Sequence, residues 1–301
     1  SDYRHMAQAL RLAERGLYTT SPNPRVGCVI VKDNIIVGEG WHQRTGEPHA
    51  EVLALLQAGE SAHGATAYVT LEPCSHFGRT PPCADALITA GVAKVIAAMQ
   101  DPNPQVAGSG LARLTAAGIA TSSGLLASQA EQLNIGFIQR MTHARPWIRV
   151  KTASSLDGKT ALANGNSKWI TSTAARLDVH KMRARSCAIL TGIGTVLADN
   201  PQLNVRGIST TRQPLRIIVD SHLRTPIDAR ILQDKGTIIA YTQADDTRQQ
   251  QLAQAGAELI KVEAQCDQVN LPALMTILAQ RGVNEIMTEA GPQLNASLIT
   301  A

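Results

Sequence analysis

His49-Ala50-Glu51 and, further along, Pro73-Cys74-Ser75-His76-Phe77-Gly78-Arg79-Thr80-Pro81-Pro82-Cys83 decide how this chain is read. One imidazole, His49, and two thiols, Cys74 and Cys83, make a three-ligand set for a single Zn²⁺. Three protein ligands leave the fourth tetrahedral position to water, the arrangement of a catalytic zinc and not of a structural one. Glu51 is not needed as a ligand. It stands two residues past the histidine, where a proton carrier for that water is wanted. Zinc lowers the pKa of its water from ~15.7 to ~7. The resulting hydroxide can add to a ring carbon that bears an amino group. Ammonia then leaves only if it is protonated, and one carboxyl group can take up the first proton and deliver it.

Two other readings of the stretch stay open. His76 could complete a structural zinc site, or Cys74 and Cys83 could form a redox pair, which leaves His49 and Glu51 unexplained. His-x-Glu followed by Pro-Cys and a second Cys is the signature of zinc-dependent base deaminases, whose two cysteines are usually separated by two residues. Here eight residues intervene. The segment Ser75 to Pro82 is therefore expected to lie over the active site, with His76 and Arg79 as a polar cover for an anionic substrate.

Working outward, 301 residues suggest two domains, at roughly 100–200 residues each. Hydrophobic residues make up 44% and charged residues 17%, enough for a core and unlike a disordered chain. Aromatics are only 3%, which argues against a nucleic-acid platform built on base stacking. Residues 1–145 carry 11 basic and 11 acidic side chains; residues 146–301 carry 17 and 13. The basic excess thus lies in the second half, where it suits small phosphorylated ligands and is too weak for a duplex-binding surface. Five cysteines is an odd count in a chain too large to need disulfides. No signal peptide or apolar run of 18 residues is evident. A cytoplasmic protein with reduced thiols and no membrane partner is expected.

Residues 2–17 have helical apolar spacing, and Val26–Lys32 and Ile35–Gly40 read as strands joined by a tight turn. Cys28 reads as core. His49 and Glu51 open a helix, Ala65–Leu71 is a strand, and Pro81-Pro82-Cys83 leads into a helix over 84–90. The ligands thus fall near helix N-termini, where the dipole favours thiolate. A strand over 92–99, a helix over 111–118, a brief strand near Ile119 and one helix over 128–141 follow. Thr142–Pro146 reads as a linker. The second half alternates strands near 147–154, 188–191, 217–220, 237–241, 258–262 and 285–288 with helices, one of them capped by Ser172 or Thr173. Such alternation predicts an α/β layered fold. Gly192-Ile193-Gly194-Thr195 lacks the third glycine of a dinucleotide fingerprint, but as a turn after a strand it could still cradle phosphate.

Val69-Thr70-Leu71-Glu72-Pro73-Cys74 through Cys83, with Pro22-Asn23-Pro24 and His49-Ala50-Glu51, resembles the bifunctional deaminase/reductase family of riboflavin biosynthesis. The stretches at 153–158, 167–171, 194–201 and 289–292 resemble its reductase part. The resemblance implies a cytidine-deaminase-like three-layer domain over 1–144 and a dihydrofolate-reductase-like α/β domain over 145–301. It implies deamination of 2,5-diamino-6-(5-phosphoribosylamino)pyrimidin-4-one, then NADPH-dependent reduction of the ribosyl group to ribityl. Asn23, His42, His76 and Arg79 would contact the deaminase substrate. Ala153, Trp169, Thr195, Asp199, Ser221 and Gly291 would contact NADPH. Ser167, Arg183, Arg206 and Glu289 would contact the reductase substrate. A homo-oligomer, dimer or tetramer, is implied as well. Members usually continue past the position of Ala301 by several strands, so the reductase domain is expected to be C-terminally short. The alternatives are a deaminase alone, with a nucleotide-binding or dimerisation module behind it, and a nucleic-acid binder with a structural zinc.

Overall fold

The computed structural model describes residues 2–75, 81–104, 106–164, 166–167 and 169–300. Two compact units divide the chain, Ser1–His143 and Ala144–Ala301.

The first unit contains α1 (Asp2–Glu14), β1 (Gly27–Lys32), β2 (Ile35–Trp41), α2 (Ala50–Ala58), β3 (Thr66–Val69), α3 (Cys83–Thr89), β4 (Lys94–Ala97), α4 (Ser109–Ala116), β5 (Ala120–Ser123), α5 (Ala127–Leu133) and α6 (Ile135–His143). Its sheet runs β2-β1-β3-β4-β5. β1 is antiparallel to β2 and β3, and β3, β4 and β5 are parallel. Successive strand residues point to opposite faces, and the two cores follow this alternation. Cys28, Ile30, Ala67, Val69, Val95 and Ala97 pack with Ala54 of α2, Leu87 of α3 and Leu114 of α4. Val29, Val31, Tyr68 and Ile96 pack on the other face with Met6 and Ala9 of α1 and Ala130 of α5. The result is the expected helix–sheet–helix stack. Asp33 and Asn34 both have positive φ, as a two-residue hairpin turn of type I′ needs.

The metal-site helix α2 lies unusually close to its sheet. A Cβ on Gly40 would come 2.2 Å from the Ala50 carbonyl and 2.6 Å from the Ala54 nitrogen. Both atoms are helix backbone, so nothing flexible can give way. Gly40→Ala is expected to destabilise the first unit by roughly 1–3 kcal/mol and to lower its zinc content. An unchanged melting temperature would sink this account of the glycine.

The predicted single helix over 128–141 is two helices, α5 and α6, broken at Asn134. The side chain of Asn134 is buried and paired reciprocally with the Arg25 backbone: it accepts from the N–H at 2.8 Å and donates to the carbonyl at 2.9 Å. That tertiary tie outweighs local helical spacing. α6 also continues through His143, into the predicted linker. α1 stops at Glu14, short of residue 17.

The second unit contains β6 (Trp147–Lys151), α7 (Thr173–Arg185), β7 (Ala188–Gly192), α8 (Ile193–Asp199), β8 (Leu215–Val219), β9 (Thr237–Tyr241), α9 (Asp246–Gln254), β10 (Ala257–Lys261), the ribbon β11 (Ala264–Gln265) and β12 (Gln268–Val269), α10 (Leu271–Gln280), β13 (Glu285–Glu289) and α11 (Pro292–Thr300). Its six-stranded sheet, β10-β9-β8-β7-β13-β6, is parallel throughout. Leu190, Ile217, Ile238 and Ile286 meet α10 and Leu294 of α11 on one face. Ile189, Ile218, Ile239 and Met287 meet Val196 of α8 and Leu252 of α9 on the other. Ser172 is the cap of α7, accepting from the Ala175 N–H at 3.2 Å. The glycine-containing stretch after β7 is not a free turn: α8 begins at once, at Ile193. The ribbon β11–β12 was not evident in the sequence. Its turn residues, Cys266 and Asp267, take positive φ without the Asn-Gly that usually announces such a turn.

Candidate metal centre and ligand sites

His49 is the N-cap residue of α2, and Glu51 is in its first turn. Cys83 opens α3, with Pro82 at its N-cap. Cys74 follows β3 and is fastened to α3 from below: the Cys83 N–H donates to its sulfur at 3.3 Å, and the Ala84 N–H donates to its carbonyl at 3.1 Å. These elements bring three donor atoms together. His49 Nδ1 lies 3.1 Å from Cys83 Sγ and 3.7 Å from Cys74 Sγ, and the trio falls within 4.8 Å. Bonds of about 2.3 Å to sulfur and 2.0–2.1 Å to nitrogen in a tetrahedron put such atoms about 3.5–3.8 Å apart. The residues therefore fit a zinc ion, with the histidine bound through Nδ1.

The trio's protonation is shared. A hydrogen bond from Cys83 is the main cause that lowers the Cys74 thiol to about 4, with help from His49. The same bond, with burial, raises Cys83. Cys74, which lies against the first turn of α3, is thus held toward thiolate by its hydrogen bonds to Cys83 and His49, whereas Cys83, which opens α3, is pushed toward the thiol despite its place at the helix start; a metal ion would favour loss of its proton. The hydrogen bond to Cys74 raises His49. Glu51 is only 3% exposed, and burial pushes its carboxyl up to about 7.

A cavity of about 210 Å³ opens onto His49 and Cys74 of the trio, lined also by Asn23, His42, Glu51, Asp101 and Phe137 among others. Burial lowers the pKa of His42 and keeps it neutral. Its Nδ1 is 3.2 Å from the Pro48 carbonyl, and its Nε2 is 3.1 Å from Asn23 Nδ2. A carbonyl can only accept, so Nδ1 carries the proton and Nε2 accepts from Asn23. This orients the Asn23 carboxamide and leaves its oxygen to accept from a ligand. His76 and Arg79 lie outside the described residues. Asp101 and Phe137, also at the wall, are not among the residues singled out in the sequence. A second Pro-Asn-Pro, at 102–104, was the signal that could have drawn attention to Asp101.

In the second unit, most residues singled out for NADPH fall at the carboxyl ends of parallel strands. Ala153 is two residues past β6, Thr195 and Asp199 lie in α8 directly after β7, Ser221 is two past β8, and Gly291 is two past β13. Open α/β sheets bind ligands outside this edge. A Cβ on Gly194 or Gly291 would meet nothing within 4 Å, so the backbone there is open to a ligand. These positions fit a dinucleotide, with one reservation in detail. The Ser221 hydroxyl is buried, donates to Gln268 Oε1 at 3.2 Å and accepts from the Val269 N–H at 3.1 Å. It is committed to the ribbon. Trp169 is 74% exposed, with the Arg176 guanidinium 4.5 Å from its ring centre. Ser167 is exposed in the same loop.

Of the four residues singled out for the reductase substrate, two bind each other. Arg183 donates from Nε and Nη2 to Glu289 at 2.5 and 2.8 Å, and from Nη1 to the Asn204 carbonyl at 2.9 Å. Arg206 is exposed; its backbone N–H donates to His180 Nδ1 at 3.0 Å, and its guanidinium to Asn204 Oδ1. Partial burial lowers its pKa, and so do Arg183 and Arg230 nearby. Around Arg206, two further guanidiniums against one carboxylate leave a positive surplus, which suits a phosphate.

Comparisons with known proteins agree on the class. Residues 1–99 match the cytidine and deoxycytidylate deaminase zinc-binding region, and residues 146–301 match the RibD C-terminal domain. The riboflavin biosynthesis protein RibD of Escherichia coli (strain K12) is 54% identical over 313 residues, which cover 100% of this chain and 84% of the relative. That of Haemophilus influenzae is 50% identical, over 98% and 82%. Among solved structures, form 1 of Acinetobacter baumannii RibD superposes with a TM-score of 0.92 at 47% identity, over 99% of this chain and 83% of that one. The Thermotoga maritima diaminohydroxyphosphoribosylaminopyrimidine deaminase/5-amino-6-(5-phosphoribosylamino)uracil reductase does so with 0.84 at 35%, over 96% and 80%. A zinc-site deaminase domain followed by a reductase domain of mixed α/β build is the class these matches define. The chain belongs to the RibD family of riboflavin biosynthesis proteins.

Proposed function

We propose that residues 1–144 deaminate 2,5-diamino-6-(5-phosphoribosylamino)pyrimidin-4-one and that residues 145–301 reduce the ribosyl group of the product to ribityl with NADPH. The observation that carries the first step is the convergence of His49, Cys74 and Cys83 beside a buried Glu51 at the base of a cavity. A zinc ion held by His49, Cys74 and Cys83 would supply a water of pKa ~7. Glu51 is the group that would take up its proton and return it to the leaving nitrogen. Asn23, oriented by His42, accepts from the pyrimidine edge. His76 and Arg79 complete the contacts to the phosphorylated substrate.

For the second step, NADPH bound at the carboxyl edge of the sheet would supply the hydride for C1 of the opened sugar. The chain's contribution is to hold the two partners together. Ala153, Trp169, Thr195, Asp199 and Gly291 line the cofactor's side; Ser221 acts there through its backbone and the ribbon it anchors. Ser167, Arg183, Arg206 and Glu289 face the substrate, with the arginines on its phosphate. The parallel sheet with ligand-side loops at one edge supports this reading.

Five cysteines, none of them in a disulfide, suit a reducing, cytoplasmic setting, and among the described residues no helix is long and apolar enough to cross a membrane. Trp147 and Val150, exposed on the edge strand β6, offer apolar surface for a second copy in a homo-oligomer.

The test follows ammonia release from the diaminopyrimidine, then absorbance at the NADPH band after cofactor is added. Ammonia release is expected to stop with chelator and to resume with Zn²⁺. NADPH oxidation is expected only once deaminated product is present. Ammonia release without any NADPH oxidation would leave a deaminase alone.

A further inference from the structure

Glu72 precedes the Pro73-Cys74 pair, and so far it has no role. Its side chain is buried, and four backbone N–H groups converge on its carboxylate. Oε2 accepts from Asp101 at 3.0 Å and Gly108 at 2.9 Å; Oε1 accepts from Gly110 at 2.8 Å and Leu111 at 3.2 Å. That number fills the acceptor sites of a carboxylate. Two donors belong to the segment after β4 and two to the first turn of α4. The N-cap residue of α4, Gly108, has no side chain to cap with. Glu72 therefore supplies the cap from across the fold.

The neighbours of Glu72 are fixed to the same place. A Cβ on Gly110 would come 1.9 Å from the Pro73 carbonyl oxygen, so the α4 backbone lies directly on Pro73. One residue beyond Cys74, the Ser75 hydroxyl is 2.7 Å from that of Ser109, the first residue of α4. Cys74 is thus bracketed on both sides by ties to the start of one helix. Asp101, whose N–H is held by Glu72, lines the substrate cavity together with Glu72 itself.

We propose that Glu72 is a positioning residue of the metal centre: by binding the 101–111 backbone to the Glu72-Pro73-Cys74 strip, it sets the place of the Cys74 sulfur and of the Asp101 wall at once. The proposal rests on the reading of His49, Cys74 and Cys83 as a zinc site. Glu72→Gln keeps the shape but turns an NH₂ toward N–H groups, donor against donor, so at least one of the two segments must let go. Gly110→Ala acts from the opposite side. It keeps every hydrogen-bonding group and pushes on the Pro73 carbonyl instead.

The test uses the full chain and reads zinc retention against a competing chelator, ammonia release with and without excess Zn²⁺, and NADPH oxidation by the second unit. Both variants are expected to hold zinc roughly ten- to a hundredfold more weakly, the usual loss for a partner that orients a ligand. Excess zinc is expected to restore part of the ammonia release, and NADPH oxidation on supplied intermediate to stay unchanged. A carboxylate that only adds stability would lower the melting temperature and leave the zinc affinity of the folded protein alone; zinc retention equal to that of the unsubstituted chain overturns the proposal. Should Glu72→Gln fail to accumulate as folded protein, Gly110→Ala decides by the same readout. If the unsubstituted chain itself holds no zinc, the metal-centre reading fails instead.

Discussion

Glu51→Gln is expected to slow ammonia release by roughly 10²–10⁴-fold, the usual contribution of a positioned proton carrier, while zinc stays bound. The exchange is nearly isosteric, and the residue is not one of the three donors. It removes only the ability to take and return a proton. The site prepares Glu51 for both acts: burial pushes its carboxyl up to about 7, where loss and gain of a proton are about equally easy at neutral pH. The measurement pairs an ammonia assay with metal analysis of the same sample. Loss of zinc together with rate would make the residue structural to the centre. An undiminished rate with full zinc would hand the proton to another group. NADPH oxidation on supplied intermediate should be unaffected, since Glu51 belongs to the other unit.

The second large effect is one of stability. Arg183→Met is expected to cost the second unit about 3–5 kcal/mol, because breaking a buried pair strands the remaining charge. The Arg183 and Glu289 side chains are only 10% and 11% exposed, so water can do little for the widowed carboxylate. Adding Glu289→Leu should recover most of the loss, since replacing both members of such a pair by apolar groups is often neutral. Urea unfolding of the two single variants and the double variant gives the coupling. A loss in the double variant equal to the sum of the two single losses would show that the pair is not coupled. A stable double variant without reductase activity would tie the pair to substrate handling.

What was legible beforehand follows from how far apart the cooperating groups are in the chain. His49 and Glu51 sit in one helical turn, and the apolar spacing of Val52, Leu53, Leu55 and Leu56 announces that helix. β1 reads as a strand because it is a run of Cys, Val and Ile, buried on both faces. The cap of α7 is a local matter of Ser172 and its next three residues. In contrast, Glu72 looks in sequence like any acid beside a proline, because its four partners are backbone groups that carry no side-chain signature. Arg183 and Glu289 were picked out singly, and nothing in local periodicity says that residues 106 positions apart clasp each other. Asn134 broke an apparently continuous helix for the same reason, through a tie to Arg25. Ser221 was marked as a cofactor contact, but its hydroxyl serves a ribbon whose turn lacks the usual residues. Local chemistry thus identified the donors, and long-range backbone contacts determined how they are held.

The hydrogen bonds that fasten Cys74 to the first turn of α3 carry one more implication. Because the Cys83 N–H meets the Cys74 sulfur and the Ala84 N–H meets its carbonyl, the two ends of the intervening segment are stitched together independently of what lies between them. The place of Cys74 against α3 is therefore held by two main-chain N–H groups.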